Sequence, residues 1–411
     1  MAMGLRTRSP RFMISTGTLV LTLLMFTTAG HAESIKTVFV IAMENHNWTQ
    51  PANDASAPLQ IFQNPNAPYI NSLTNPASPN SAQVSFASAY TNVLATPSGN
   101  NPSIHPSEPN YIWMEGGTNF GVLNDNQPYG AGGTNQSTTK HFSTLLSQAG
   151  RTWTSYQEDI DTDAGGNVLP KSQWTSPITN RSGTYSTVPN PYNGSKQFDY
   201  AAKHNPQIFF SDTNGGNDNT PANPAAGKYA PLQQFLTDLD NNTVANYNWI
   251  TPNQFNDMHT TLSGGYKGLT GDAARIKQGD DFLAAFVPLI MASQAYQDNG
   301  AIFLWWDESE GTNANDFNHT LPFFVISPLA KGGAFSDTIN YTHSSTLRTL
   351  QEIYGVGPFL GDAAAASDLS DLFKPGVIPS GVPQASSLSL VVLGLGALLW
   401  RATGTRSSLT R

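Results

Sequence analysis

"VFVIAMENHNW", residues 38–48, carries an apolar run straight into Glu44, Asn45 and His46. A short apolar run bounded by polar residues fits a strand buried on both faces, as in a parallel sheet covered by helices. In such sheets ligands bind beyond the carboxyl ends of the strands. A carboxylate and an amide at that place are candidate site residues, in a chain of which only 12% is charged. The same pattern recurs at "AIFLWW", residues 301–306, which runs into Asp307 and Glu308. Either acidic cluster alone reads as a helix cap or a solvated turn. Two clusters after two strands point to convergence, and close carboxylates repel and raise one another's pKa unless they share a cation.

Working outward, strand-like runs also stand at 207–210 ("QIFF"), 247–251 ("YNWIT") and 322–327 ("PFFVIS"). Helical stretches alternate with them: "KHFSTLLSQAG" stopping at Gly150, "DDFLAAFVPLIMASQAYQDNG" stopping at Gly300, and "SSTLRTLQEIYG" running from just after His343 to Gly355. Pro288 is a candidate kink in the second. This alternation predicts an α/β fold with a mostly parallel central sheet and helices on both faces. Long Asn/Gly/Pro-rich loops at 49–80, 118–137 and 160–195 read as the rim of a site. No repeat of fixed period and no internal linker appears, so one domain over 33–375 is the economical division.

At 411 residues, 39% of them apolar, the chain has ample material for a core. Its 35 glycines and 28 prolines suit a loop-rich extracellular protein. Residues 1–32 read as a signal peptide: Arg6, Arg8 and Arg11, then "LVLTLLMF" at 19–26, then Gly30-His31-Ala32 as a cleavage site. That apolar run is short of what a span of about 30 Å needs, so a membrane anchor is the weaker reading. Residues 376–411 read as a linker and a sorting or anchor segment. Its part "VPQASSLSLVVLGLGALLWRATGTRSSLTR", 382–411, has a Val-Pro start, about 15 apolar residues and a basic tail. The expected location is outside the cytoplasm: periplasm, cell surface or medium. Residues 1–32 and 381–411 hold six arginines and no acids, which leaves 14 basic against 29 acidic side chains over 33–380, a formal −15. Nucleic acid is excluded as a natural partner by that charge. With no cysteine in the chain, stability must come from core size or a bound metal.

Two further segments carry chemistry. Asp257 and His259 follow the 247–251 strand in "TPNQFNDMHT", and His343 precedes a helix in "YTHSS"; together they suit metal or phosphate binding. In "HPSEPNYIWMEGG", 105–117, Ser107 is followed by Glu108-Pro109-Asn110, by composition a tight turn that would present a hydroxyl beside an amide. Each of these alone is more often structural than functional.

In order along the chain, "IAMENHNW", "HPSEPNYIW", "HNPQIFF", "ITPNQFNDMH", "GDDFL", "FLWWDESEG", "VISPLAKGG" and "YTHSSTLRTLQEIYG" resemble the bacterial phosphoesterase family of acid phosphatases and phospholipases C, within the alkaline phosphatase superfamily. The likeness spans 36–373 and implies an alkaline phosphatase-like α/β fold. It implies Ser107 as nucleophile, since Ser-Glu-Pro-Asn is similar to the superfamily's Ser/Thr-x-Pro-Asn, with Asn110 on a phosphate oxygen. It implies Glu44, Asn45, Asp307 and Glu308 as cation ligands, completed by the Ser107 oxygen. Asp257, His259 and His343 match the superfamily's second metal site, or else touch substrate directly. His204 and Asn205 of "KHNPQ" fall on the phosphate side. His46, His105 and His319 receive no role and are read as structural. The C-terminal segment resembles a PEP-CTERM sorting signal, with Gln384-Ala385 in place of the usual Glu-Pro, and would engage a membrane or a sorting protease.

The expected activity is a metal-dependent phosphomonoesterase with a phosphoserine intermediate and a phosphate ester as substrate. The oxygen-rich ligand set favours Ca²⁺, Mg²⁺ or Mn²⁺, with Zn²⁺ entering if Asp257, His259 and His343 form a second site. A phospholipase C-like phosphodiesterase is the alternative within the class. A surface or matrix protein that keeps the fold without turnover is the alternative outside it.

Overall fold

The computed structural model describes Met1 and residues 33–95, 104–311 and 315–382. The signal peptide and the body of the C-terminal sorting segment lie outside the described residues. Ten strands are formed among the latter: β1 Thr37–Met43, β2 Val84–Tyr90, β3 Trp153–Gln157, β4 Arg181–Thr184, β5 Gln197–Tyr200, β6 Tyr229–Pro231, β7 Tyr247–Thr251, β8 Gly300–Trp306, β9 Phe323–Ile326 and β10 Phe335–Tyr341. The helices are α1 Pro68–Leu73, α2 Ser107–Gly116, α3 Phe142–Gln148, α4 Ser211–Asn214, α5 Leu232–Asp240, α6 Gly271–Ala292, α7 Gln294–Gln297 and α8 His343–Tyr354. None is long and apolar enough to cross a membrane.

Eight strands make one sheet in the order β10-β2-β9-β8-β1-β7-β3-β6, while β4 and β5 form a separate antiparallel ribbon. Only β9 runs against its neighbours β2 and β8. The fold is therefore α/β with a mostly parallel sheet, as the alternating pattern predicts. At its centre β1 lies between β7 and β8, every residue of β8 is buried, and so is β1 after its first residue. Each large apolar side chain buried here stabilises the fold by about 1.5–3 kcal/mol. On one face Phe39 packs against Phe235 of α5, which stacks on Phe286 of α6. On the other, Trp249 and Trp305 meet Tyr111 of α2.

The register decides where the acids go. Met43 pairs with Trp306, so Glu44 and Asp307 leave the sheet side by side. The Asp307 N–H still donates to Met43 O at 3.2 Å, and Glu44 N–H donates to Asp257 O at 2.9 Å, which pins the segment after β7 to the same edge.

Three expectations are corrected. "QIFF" is not a strand but a 3₁₀ turn, Pro206–Phe209, with Pro206 in its first position; a short apolar run does not by itself separate a buried strand from a buried helical turn. The second helix starts earlier, at Gly271, holds Pro288 inside it, and ends at Ala292 rather than at Gly300. There Ser293 Oγ accepts from Tyr296 N–H and caps the short α7. Gly300 instead opens β8, where a Cβ would come within 2.6 Å of Tyr296 Cα. The domain also runs past residue 375: Val377 and Ile378 are buried in the core, and Gly381 N–H donates to Glu352.

Candidate active site

Ser107 is the first residue of α2, not part of an isolated turn. Pro109 falls in that helix's first turn, where the N–H it lacks would have no partner inside the helix. The geometry places Ser107 Oγ 3.3 Å from Glu44 Oε2 and 3.2 Å from Glu308 Oε1. A third neighbour, Lys203 Nζ, approaches at 3.5 Å. Ser107, Glu44 and Glu308 are all buried, so the hydroxyl sits at the bottom of the site.

Glu44, Asp257, Asp307 and Glu308 crowd the strand ends. Burial raises the pKa of all four, and repulsion from a neighbouring acid adds to it, Glu310 in the case of Glu308; His105 lowers Glu308, and Lys203 lowers all four. Asp307 Oδ1 accepts from the Asn45 N–H at 3.0 Å, whereas buried Asp307 Oδ2 has no hydrogen-bond partner. Asn45 has φ 51°, a conformation asparagine tolerates, and this turns its side chain toward Glu308 Oε1 and Glu310 Oε1, at 3.1 and 3.2 Å. With its NH₂ turned to them it donates; with its oxygen turned to them the cluster is all-oxygen.

His204 is wedged between Glu44 Oε1 at 3.1 Å and Asp257 Oδ2 at 3.3 Å, and it stacks on Tyr111. The contacts are close but poorly aligned for hydrogen bonds, since His204 Nε2 and Asp257 Oδ2 remain without partners. Burial, reinforced by Lys203 and His259, keeps His204 neutral. Buried Asp307 Oδ2, without a partner among acids that raise its pKa, and the oxygen donors around it fit a divalent cation. Glu44, Asn45, Asp307, Glu308 and the Ser107 oxygen are the donors able to hold it.

His259 carries a neutral ring. Burial first, then Lys203, lowers it to about 3. Its Nε2 accepts from Lys203 Nζ at 3.3 Å, and its Nδ1–H donates to Thr260 Oγ1 at 2.9 Å. Asp257 Oδ1 accepts from the His259 N–H at 2.8 Å and so orients it.

Three expected site residues serve elsewhere. His343 is fully engaged behind the cluster: Nδ1 accepts from Trp305 Nε1–H at 2.9 Å, and Nε2–H donates to Asp307 O at 2.6 Å. Buried and held near 4, it braces the end of β8 and offers no nitrogen to metal or substrate. Asn205 accepts from Ser155 Oγ and donates to Tyr200 OH, so it ties β3 to the turn that carries His204. Asn110 donates to Ile104 O at 2.7 Å and to Glu308 Oε2 at 3.1 Å, which spends its amide hydrogens on the chain before α2 and on positioning Glu308.

Residues 44–357 match the phosphoesterase family. The chain belongs to that family, whose members hydrolyse phosphate ester bonds. It is 25% identical over 313 residues to a phosphatidylinositol-3-phosphatase of Mycobacterium tuberculosis, covering 76% of this chain and 78% of the relative. It is 27% identical over 260 residues to a probable acid phosphatase of Kluyveromyces lactis, covering 62% of this chain and 50% of the relative. The chain thus spans about half the length of that yeast relative. Among solved structures, an alkaline phosphatase superfamily protein from Vibrio parahaemolyticus superposes with a TM-score of 0.44 at 12% identity, over 83% of this chain and 70% of that one.

Sequence reasoning missed four residues that the structure brings to the candidate site. Lys203 adjoins His204 in "KHNPQ", and the pairing of a cation with an imidazole was the available signal. His105, read as structural, lies 3.2 Å from Glu308 Oε1 at the mouth, and the hydrogen bond to Glu308 raises it to about 9. Glu310 joins His105 and Glu308 in one group of potential ligands. Asp125, on the 118–137 loop read as rim, reaches Lys203 Nζ at 3.0 Å. His46 Nδ1 meets Glu44 O at 3.1 Å while its buried Nε2 has no hydrogen-bond partner, and His319 lies between Asp54 and Asp316.

Proposed function

We propose that this phosphoesterase-family protein is an exported phosphomonoesterase of acid-phosphatase type that transfers the phosphoryl group first to Ser107 and then to water. The single observation that carries the reading is Ser107 Oγ, at a helix N-terminus, between Glu44 and Glu308 and within reach of Lys203. In the first step Ser107 Oγ attacks phosphorus in line with the ester oxygen, the Oγ–P bond forms, and the bond to the alcohol breaks. Glu44 Oε2 and Glu308 Oε1 are the acceptors in place for the serine proton. His105, protonated beside Glu308, is placed at the mouth to give the leaving alcohol its proton. In the second step water attacks phosphorus and gives a proton back to His105, the P–Oγ bond breaks, and the serine oxygen recovers its proton from the carboxylate that took it, freeing phosphate. A divalent cation held by Glu44, Asn45, Asp307, Glu308 and Ser107, when bound, lowers the pKa of the serine hydroxyl and neutralises phosphoryl oxygens. The relatives bear the names of monoester phosphatases, and this favours a monoester over the lipid diester of a phospholipase C.

The test is an assay of the purified 33–380 segment on p-nitrophenyl phosphate and on p-nitrophenylphosphorylcholine, with and without chelator. Preference for the monoester and loss of activity on chelation are expected. Ser107→Ala should fold normally and lose activity by about 10³-fold or more, since the covalent step requires the hydroxyl. Activity within about tenfold of wild type would sink the nucleophile, and turnover of the diester alone would sink the monoesterase.

A further inference from the structure

Glu44, His204 and His259 bring ligand atoms within 4.8 Å of one another, and Asp257 stands beside His204. One or two carboxylates with two imidazoles make a set that suits a second metal ion such as Zn²⁺. Lys203 contests that place. Its Nζ lies 3.3 Å from His259 Nε2, 3.5 Å from Ser107 Oγ and 3.0 Å from Asp125 Oδ2, on a side chain only 14% exposed. A zinc–imidazole bond is about 2.0–2.1 Å, so a metal on His259 would stand against an ammonium with no solvent between them. Two cations in contact at a poorly hydrated place repel strongly.

The neighbouring contacts say what the ammonium meets when substrate arrives. Asp125 bridges two donors: Oδ2 accepts from Lys203 Nζ at 3.0 Å, and Oδ1 accepts from the Glu108 N–H at the start of α2, also at 3.0 Å. One carboxylate thus holds an ammonium beside the first turn of the helix that carries Ser107, and an ammonium so held is a donor suited to an anionic phosphoryl oxygen.

We infer that the Lys203 ammonium is the second positive centre of the site, taking the place of a second metal ion beside His204 and His259 and binding a phosphoryl oxygen at Ser107. The phosphoryl-binding half rests on the nucleophile proposed above; the exclusion of a second metal does not. The protein is accordingly a one-metal phosphoesterase, and Asp125 is the residue that positions the lysine.

The experiment reads metal content and phosphate binding, neither of which needs turnover. Wild type, Lys203→Ala, Lys203→Met and Lys203→Arg are loaded with Zn²⁺, freed of excess and analysed for bound metal. Wild type, Lys203→Arg and Lys203→Met, whose chain still fills the place, are expected to hold one equivalent, and Lys203→Ala two. Inorganic phosphate is then titrated calorimetrically into zinc-loaded Ser107→Ala protein with and without Lys203→Met. Loss of the charge should weaken phosphate about tenfold or more. If Lys203→Ala does not fold, Lys203→Met, which keeps the chain length without the charge, supplies the phosphate comparison alone. Two equivalents in wild type, a folded Lys203→Ala that stays at one, or phosphate affinity unchanged by Lys203→Met would each overturn the inference. An active Ser107→Ala enzyme would remove the nucleophile while leaving the metal count intact, so the two failures are told apart.

Discussion

Glu44 and Asp307 leave neighbouring strands with their carboxylates buried; burial raises both, and a neighbouring acid adds to it, Asp307 for Glu44 and Glu308 for Asp307. A cation relieves that repulsion, so each acid holds it for the other. Glu44→Ala and Asp307→Ala are therefore expected to lose the bound metal singly, and the double variant should cost far less activity than the two losses combined. Elemental analysis and kinetics of the three proteins check this; multiplicative losses would mean the acids act independently. His105 calls for a different comparison. As proton donor it matters most when the alcohol is a poor leaving group, so His105→Gln should slow hydrolysis of an alkyl phosphate about 10²-fold while changing p-nitrophenyl phosphate much less. Equal slowing of both would assign His105 to holding Glu308 instead. The acids after β1, β7 and β8 were legible in the sequence because a strand end is a local feature. Lys203 and His105 were not, because the carboxylates that give them meaning are supplied by distant segments: Lys203 meets Asp125 and Ser107, and His105 meets Glu308.

Helix α1 shows how an element is held from outside its own sequence. Its start, Ala67, offers no side-chain cap. Asp280 of α6 supplies one, accepting from Ile70 N–H at 2.8 Å and Tyr69 N–H at 3.2 Å. This contact also accounts for "GDDFL": Asp280 lies buried inside α6, and the helix begins well before it. An acid in an apolar pattern reads as a helix start, and the pattern alone does not reveal that its partners belong to another helix. Asp280→Ala should lower stability by about 1–3 kcal/mol, the cost of leaving buried N–H groups unpaired. Urea unfolding measures it, and an unchanged midpoint would remove Asp280 from the capping role. Helix α2 was hidden for a related reason. Ser-Glu-Pro-Asn is turn-like by composition, yet proline in a first helical turn is tolerated, and the buried run Tyr111–Met114 continues the helix into the core.

Across the whole molecule, the layer that carries Ser107 is fastened by a buried imidazole outside the Glu44–Asp307 cluster. His141 stands before α3, its Nδ1 3.0 Å from Glu115 Oε2 of α2 and its Nε2 2.9 Å from Asp212 Oδ1 of α4, with Phe210 stacked on the ring. Both nitrogens face carboxylates, so only the doubly protonated ring satisfies both. Burial lowers the pKa of His141, but the hydrogen bonds with Asp212 and Glu115 outweigh it and the net direction is upward. Asp212 moves the opposite way: burial raises it, and the bonds from His141 and Thr144 bring it below the usual carboxylate value. For a histidine raised on folding, the stabilisation is fully present below the unfolded value of about 6.5 and is lost as pH rises through the folded value. The depressed Asp212 works at the acid end: its contribution is present above the unfolded value of about 3.9 and fades as pH falls through its folded value. Between these limits the three helices are clamped most tightly. Metal-loaded wild type should therefore lose about 1–2 kcal/mol relative to His141→Gln as pH rises through the folded value of His141, a figure kept small because Asp212 is partly exposed. Chemical unfolding of both proteins from pH 5 to pH 9 makes the comparison, the variant cancelling every other titrating group. A gap between the two that stays constant over that range would show that folding leaves the pKa of His141 unchanged and that the clamp gains nothing from its charge.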